Sequence, residues 1–241
     1  MSYSNKIYAH IPARGGSKRV PAKNLRLLCG KPMIGYAIEC AKQSGIFHDI
    51  FVNTDSDDIA ALAESYNVNV YRRDAWLASD EAKGDDFTAD FIKKMKPDIL
   101  VMINPVCPLI EPHDVIAAVE AFQASDCDTL ITCEETQMQT FCDEKPVNID
   151  LATGLVQTQK NPIIKILNWA VTIWNPDAFM DTYNKNGSGY IGTKRYLMPI
   201  DPSKSLKISH EEDFRMAELL IQAKSLIAED KLSPPEYWQA H

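Results

Sequence analysis

The feature of this 241-residue sequence that most limits its fold is an alternation of apolar runs and helical patterns between residues 7 and 133. The run "IYAHIPA" precedes "KPMIGYAIECAKQSG", in which apolar side chains recur at helical spacing. The pairing recurs at "DIFVNTD" and "SDDIAALAESYN", at "VNVYRR" and "DDFTADFIKKM", and at "DILVMIN" and "HDVIAAVEAFQAS", before the strand "DTLITC". This alternation predicts a three-layer α/β fold with a mostly parallel, doubly wound sheet.

Local signals fix several element ends. Pro32 suits the start of the first helix, and Gly45 suits a left-handed stop after it. Ser56 is the expected N-cap of the second helix. "DILVMIN" is apolar throughout, as expected for a central strand that is covered on both faces. His10, inside the first strand, is expected to be a packed core residue.

The alternation stops near Glu134. A polar, turn-rich stretch with β-like pieces follows, then the strand "NWAVTIWNP", and then a strand end that runs into a long amphipathic helix in "LKISHEEDFRMAELLIQAKSLI". The sequence contains no repeat and no linker that would mark a domain boundary. We therefore predict a single domain over residues 1–241, with an inserted arm at 134–185.

Composition excludes several classes of protein. A net charge of −8 and a pI near 5.1 argue against a general nucleic-acid binder. No apolar stretch approaches the roughly 20 residues of a membrane span, and the N-terminus lacks the apolar core of a signal peptide. Six scattered cysteines without metal-ligand spacing predict reduced thiols in a cytoplasmic protein without structural zinc.

A basic loop, "AHIPARGGSKRVPAKN" at residues 9–24, follows the first strand, where open parallel sheets place ligands. Gly15 and Gly16 allow a tight turn with exposed backbone N–H groups. The loop also carries four cations: Arg14, Lys18, Arg19 and Lys23. It is neither a Walker loop nor a Rossmann glycine motif. The combination favours a nucleoside triphosphate, with a solvated basic loop as the alternative.

Together, "IPARGGSKRVPAKN" and "LLCGKPMIGYAIE" resemble the signature of the acylneuraminate cytidylyltransferases, the family of the CMP-sialic acid synthetases. Further similar segments follow in order: "FVNTDSDDIA", "YRRDAWLASD", "INPVCPL" and "SHEEDFRMAE". The resemblance covers nearly the whole chain and is weakest between about 134 and 165. It implies the Rossmann-like sheet of the nucleotide-diphospho-sugar transferases.

The resemblance also implies a reaction, in which the anomeric hydroxyl of a 2-keto-3-deoxy sugar acid attacks the α-phosphate of CTP. A CMP-sugar forms and pyrophosphate leaves. Arg14 and Lys23 would be catalytic, contacting the phosphates. The implied nucleotide-binding residues are Ala13, Arg14, Gly15, Gly16, Ser17, Lys23, Asn24, Arg73 and Asp80. Arg73 as a surface charge and Asp80 as an N-cap are alternatives.

The implied Mg²⁺ site departs from the family pattern. The family's closing motif supplies two aspartates as oxygen ligands, but these positions are Lys207 and Ser209. Asp213, the third acidic position, is retained, and Asp213 and Glu211 are the candidate metal ligands. Alternatively, Asp201 or Asp55 takes over, Lys207 itself neutralises phosphate charge, or the site works weakly or not at all.

The acceptor side departs too, because Asn104 and Ile110 replace a glutamine and an arginine common in the family. Asn104, Lys165 and Trp169 are the candidate sugar-binding residues, Lys165 for the substrate carboxylate. The resemblance implies a homodimer built through the arm.

We therefore expect a cytidylyltransferase for a sialic acid-like nonulosonate. Kdo or a phosphonate as acceptor is one alternative, and a degenerate homologue that binds nucleotide or sugar without turnover is another.

Overall fold

The computed structural model describes residues 5–17, 19–152, 154 and 156–228. Lys18, one of the cations predicted in the basic loop, lies outside the described residues. In the described part of the chain the strands are, in order, β1 (Ile7–Pro12), β2 (Leu27–Leu28), β3 (Lys31–Pro32), β4 (Asp49–Thr54), β5 (Asn69–Arg72), β6 (Ile99–Ile103), β7 (Thr129–Thr136), β8 (Phe141–Cys142), β9 (Lys145–Pro146), β10 (Ile164–Trp174) and β11 (Arg195–Pro199).

Seven of these strands form the central sheet, in the spatial order β11-β7-β10-β6-β1-β4-β5. All neighbouring pairs are parallel except those of β10, which runs antiparallel to β6 and to β7. The mostly parallel, doubly wound sheet predicted from the alternation is therefore confirmed.

The helices over the described residues are α1 (Met33–Ser44), α2 (Asp57–Ser65), α3 (Gly84–Met95), α4 (Pro112–Ala124), α5 (Pro176–Asn186) and α6 (Glu211–Ala228). Gly45 ends α1 with φ of 66°, in the left-handed region that glycine adopts without strain. The Ser56 side chain accepts a hydrogen bond from the Ile59 N–H at the start of α2. Both predicted helix boundaries are confirmed.

Two apolar clusters cover the two faces of the sheet and make the three layers. One cluster packs α1, α2 and α4 against the strands, and the other packs α3 and α5. Every residue of β6 is buried, as its apolar sequence predicts. His10 is fully buried and stacks on Phe91, with 4.6 Å between ring centroids, so its prediction as a core residue is also confirmed.

Two differences from the predicted elements lie near the C-terminus. β11 is a half-exposed edge strand with weak alternation, and it was not predicted. The predicted strand end before α6 is wrong, because residues 205–209 are not in a strand. Ile208 instead makes a single backbone bond, from its N–H to the Val106 oxygen at 2.8 Å. Its buried side chain joins a third apolar cluster that includes Val20 and Phe214.

The 134–185 range contains two kinds of structure. Its later part, from Ala170 to Trp174, is buried in the central sheet. Its earlier part contains the β8–β9 hairpin and is organised by the buried Asn148. The Asn148 Oδ1 accepts the Thr140 N–H, and its Nδ2 donates to the backbone oxygens of Met138 and Pro162. This earlier part exposes large apolar side chains, namely Met138, Phe141, Val147, Leu151, Val156, Ile163 and Ile166.

Candidate active site

A cavity of about 370 Å³ lies at the carboxyl ends of β1 and β6. We call it the basic cavity, and its lining includes Arg14, Ser17, Arg19, Lys23, Asn24 and Val106. The loop predicted to bind triphosphate therefore forms one wall of a cavity at the ligand-binding edge of the sheet. Three of the lining side chains are cationic, as a polyanionic ligand requires.

The loop is held in place by its neighbours. The Gly15 N–H donates to Asp55 Oδ1 at 3.0 Å, and the Ser17 N–H donates to the Gly15 oxygen at 3.0 Å. A Cβ on Gly15 would lie 3.1 Å from Ser56 Cβ, whereas a Cβ on Gly16 would meet no atom within 4 Å. The close approach to Ser56 therefore accounts for glycine at position 15.

Arg14 and Asp80, two of the predicted nucleotide-binding residues, form an ion pair. Arg14 Nη1 is 3.0 Å from Asp80 Oδ1 and also reaches the oxygens of Ala78 and Ser79 at 3.4 Å. An ion pair this exposed adds little stability. Its effect is to orient the guanidinium at the rim of the basic cavity.

Lys23 is fixed by the segment before α6. Its Nζ donates to the Ile208 oxygen at 2.9 Å. Burial lowers the pKa of Lys23, and the nearby cations of Arg19 and Lys207 lower it further. The loop and the C-terminal segment thus concentrate positive charge in a small region.

Asn24 is buried, and only one of the two polar atoms of its side-chain amide has a hydrogen-bond partner among the described residues. Its Nδ2 donates to the Arg14 oxygen at 3.2 Å, but its Oδ1 accepts no hydrogen bond from the described residues. An unpartnered buried acceptor costs about 1–3 kcal/mol. A hydrogen-bond donor on a ligand would remove this cost. Ala13, also buried, anchors the loop start through its N–H to the Asn53 oxygen at 2.9 Å.

Arg73 is buried and does not line the basic cavity. Its Nε donates to Asn53 Oδ1 at 2.7 Å, and its guanidinium lies 4.4 Å from the centre of the Phe87 ring. Asn53 Nδ2 in turn lies 2.9 Å from His10 Nε2. Burial lowers the pKa of Arg73 to about 10. Arg73 therefore organises the strand ends that carry the loop.

A second cavity, of about 390 Å³, contains Asn104 and Trp169, two of the three predicted sugar-binding residues. We call it the aromatic cavity, and its lining also includes Asp85, Ser188, Tyr190 and Lys207. Trp169 has φ of 60° beside an irregularity in the β10–β7 pairing, a strained conformation for a bulky residue. Its ring centroid lies 5.4 Å from that of Tyr190.

No sequence pattern predicts a role for Asp85, which lies at the start of the helix predicted for "DDFTADFIKKM". The side chain is buried, and Oδ1 accepts the N–H groups of Gly189 at 2.6 Å and Tyr190 at 2.9 Å. Asp85 thereby fixes the loop that forms one side of the aromatic cavity. Its partners are distant in sequence, so no local signal could have found this role.

One turn separates the two cavities. Asn104 lines the aromatic cavity, whereas Pro105 and Val106 line the basic cavity. The bond from Ile208 N–H to the Val106 oxygen attaches the Lys207 segment to this turn. The two cavities are therefore lined by consecutive residues of this turn.

Lys165 lies away from both cavities. Its Nζ is 3.1 Å from Glu135 Oε1 and 3.0 Å from the Leu197 oxygen. The structure of one chain does not bring it to Asn104 and Trp169.

The candidate metal ligands are engaged by protein groups. Glu211 holds both Nη atoms of Arg26 at 2.6 and 2.7 Å. Asp213 Oδ2 accepts the N–H groups of Ser209 and His210, both at 2.8 Å. Burial raises the pKa of Asp213, but these bonds outweigh it and the net shift is downward.

The alternative ligands are engaged as well. Asp201 accepts the Ser203 N–H at 2.8 Å, and Asp55 accepts that of Gly15. An acidic cluster of Glu111, His113 and Asp114 surrounds the Lys204 ammonium at 2.7 to 3.0 Å. Among the described residues, the donor set therefore does not fit a protein-held Mg²⁺ at the positions that the resemblance implied.

Comparisons with known proteins agree with this geometry. A model described as "Cytidylyltransferase" matches residues 9–181. Post-translational flagellin modification protein B of Campylobacter coli is 29% identical over 94% of this chain and 99% of its own length. CMP-N,N'-diacetyllegionaminic acid synthase of Legionella pneumophila is 30% identical over 90% of this chain and 97% of its own.

Of two further matches, one is a longer protein and the other is similar to this chain in fold alone. N-acylneuraminate cytidylyltransferase of Escherichia coli O18:K1:H7 is 29% identical over 91% of this chain, which spans about half, 53%, of that protein. A CMP:2-keto-3-deoxy-manno-octonic acid synthetase complexed with CTP has a TM-score of 0.69 at 15% identity, covering 91% of this chain and 99% of its own. That likeness supports the fold.

Over the described residues, no helix has the length and apolar character needed to cross a membrane. The chain belongs to the cytidylyltransferase family.

Proposed function

We propose that this protein transfers CMP from CTP to the anomeric hydroxyl of a 2-keto-3-deoxy sugar acid of the nonulosonate class. The hydroxyl oxygen bonds to the α-phosphorus, and the bond from that phosphorus to the β-phosphate oxygen breaks. Pyrophosphate leaves, and the hydroxyl proton passes to solvent. The observation that carries the proposal is the pair of cavities lined by the Asn104–Val106 turn, one basic and one aromatic.

In this proposal the triphosphate occupies the basic cavity. Arg14 and Lys23 contact the phosphates and stabilise the charge that develops on pyrophosphate, because phosphoryl transfer depends mainly on positioning and electrostatics. The backbone of Ala13, Gly15, Gly16 and Ser17 lines the nucleotide. The open Oδ1 of Asn24 suits a donor such as the amino group of cytosine. Asp80 orients Arg14, and Arg73 supports the strand ends.

The acceptor occupies the aromatic cavity in this proposal. Asn104 offers an amide to the hydroxyl groups of the sugar acid, and Trp169 offers a flat apolar surface to its ring. A relative that matches over nearly its whole length is a CMP-N,N'-diacetyllegionaminic acid synthase, which supports a nonulosonate over other sugar acids. Kdo and a phosphonate remain as acceptors to be tested beside it.

The resemblance also implied Mg²⁺, and the scattered cysteines predicted a cytoplasmic location. Because the described carboxylates near residues 207 and 209 are engaged, no step of the reaction is assigned to a metal held by this chain. A cytoplasmic location is supported by six free cysteines, since such thiols persist in reducing compartments.

We further propose a homodimer formed through the earlier part of the arm. Seven large apolar side chains between residues 138 and 166 are exposed there, more than a solvated hairpin requires. Sugar contact by Lys165 would come from this assembly, because within one chain Lys165 pairs with Glu135.

The dimer is tested by substituting Ile163 and Ile166, which are 54% and 50% exposed and so lie outside the core. We expect Ile163→Asp with Ile166→Asp to shift the mass measured by light scattering from dimer to monomer. Substituting the exposed Asp126→Asn is the control. A wild-type mass that stays monomeric at all concentrations would contradict the proposal.

The activity is tested by measuring pyrophosphate release from CTP with legionaminic, sialic, pseudaminic and Kdo-type acids and with a phosphonate. Other nucleoside triphosphates are the controls. Release with one nonulosonic acid supports the proposal. CTP binding without release across the panel favours the degenerate homologue.

A further inference from the structure

Lys207 is a charged residue of the aromatic cavity to which the proposed reaction assigns no role. Its side chain is exposed and lines the aromatic cavity together with Asn104. Among the described residues, no hydrogen bond or ion pair involves its ammonium group, whereas Arg14 and Lys23 both have fixed partners.

The backbone next to Lys207 fixes this position. Ile208 donates its N–H to the Val106 oxygen at 2.8 Å and accepts Lys23 Nζ on its own oxygen at 2.9 Å. Lys23 lines the basic cavity and Lys207 lines the aromatic cavity. Each cavity is thus lined by one ammonium group that lies next to the Ile208 backbone in contact or in sequence.

We propose that Lys207 is a catalytic cation, which contacts both the α-phosphate of CTP and the carboxylate of the sugar acid and so replaces a protein-held metal ion. The inference rests on the proposed function. Acceptor carboxylate and α-phosphate are both anionic and must approach each other for the hydroxyl to reach phosphorus. A cation between them offsets that repulsion, and a lysine ammonium provides it as a compact point charge.

Local charge supports the assignment. Arg19 and Lys207 lie near enough to Lys23 to lower its pKa, so an added divalent cation would meet three positive groups. The nearest acidic candidates, Asp213 and Glu211, are engaged by backbone N–H groups and by Arg26. During transfer Lys207 stabilises negative charge while the oxygen–phosphorus bond forms and the bond to pyrophosphate breaks.

The kinetic test is Lys207→Met in the full chain. We expect kcat to fall about 100-fold and the KM for the sugar acid to rise about 10-fold, the size of effect seen when one electrostatic stabiliser is removed. The Kd for CTP alone should change less than about 3-fold, because Lys23 and Arg14 remain. The matched control is Lys194→Met, an exposed lysine paired with Asp126. Wild-type kinetics in Lys207→Met would overturn the proposal.

The metal test does not depend on turnover. Mn²⁺ is titrated into nucleotide-free protein and followed by electron paramagnetic resonance. We expect wild-type protein to leave Mn²⁺ free, and Lys207→Asp with Ser209→Asp to bind it. Tight Mn²⁺ binding by wild-type protein would overturn the inference. A wild-type enzyme that is silent with every acceptor would refute the proposed function, and the Mn²⁺ result would still report on Lys207.

Discussion

The basic and aromatic cavities lie on either side of one turn, but they are assembled differently. Most of the basic cavity comes from the contiguous stretch 12–24, and two of its three cations, Arg14 and Lys23, already have protein partners in Asp80 and Ile208. The aromatic cavity draws on distant segments, around Asp85, Asn104, Trp169, 188–191 and Lys207. The comparison teaches that the basic cavity is prearranged by one local stretch of chain, whereas the aromatic cavity exists only once the sheet, its irregular strand β10 and the C-terminal segment have come together.

The largest effect expected on the basic side is from Lys23→Met. Loss of the ammonium at the phosphate wall should lower kcat/KM about 10³-fold, or about 4 kcal/mol of transition-state stabilisation. The unfolding midpoint should change little, because the Nζ makes a single hydrogen bond, to the Ile208 oxygen. Pyrophosphate release and urea unfolding measure the two quantities, with Lys194→Met as the control. Unchanged turnover would contradict the proposal that the basic cavity binds the triphosphate through Lys23.

A second prediction concerns the buried chain from Arg73 through Asn53 to His10, which supports the basic cavity. Burial, with a smaller contribution from the Arg73 cation, lowers the pKa of His10 from its usual value of 6.5 to about 3. Between those values the unfolded chain binds a proton that the folded chain does not bind. Stability should therefore fall as pH falls below about 6.5, by up to about 1.4 kcal/mol per pH unit from this residue.

The measurement is urea unfolding of wild-type protein and of His10→Leu between pH 7 and pH 4.5. The groups that surround the imidazole are Asn53, Arg73, Phe87 and Phe91, and of these Arg73 is charged. The wild-type free energy of unfolding should decrease more steeply than that of the variant. Parallel curves would mean that His10 does not titrate on unfolding.

The smallest effect is expected from Asp85→Asn, on the aromatic side. The neutral amide accepts the Gly189 and Tyr190 N–H groups less strongly than the carboxylate, so the loop at the aromatic cavity should loosen. We expect the KM for the sugar acid to rise about 10-fold, equivalent to about 1.4 kcal/mol, with the KM for CTP within about 2-fold. Steady-state kinetics measure both, with Asp126→Asn as the control. A rise confined to CTP would show that the cavities are not functionally separate.

Much of the fold could be predicted from the sequence. The stop at Gly45, the cap at Ser56 and the buried β6 follow from local chemistry, and all three are confirmed. β11 was missed because its alternation is weak and its pairing with β7 is long-range. Asp85 was missed for the same reason, since its partners are distant in the chain.

The candidate site also has features that consecutive residues predict and features that depend on long-range contacts. The sequence by itself determined the sheet, the basic loop after β1 and the absence of the expected aspartates at 207 and 209, because each is written in consecutive residues. Tertiary structure decided that Lys165 pairs with Glu135 and that Lys207 lies beside Asn104. The physical reason is that side chains far apart in sequence meet only through strand order and packing, which place the Ile208 backbone between Lys23 and the Val106 turn.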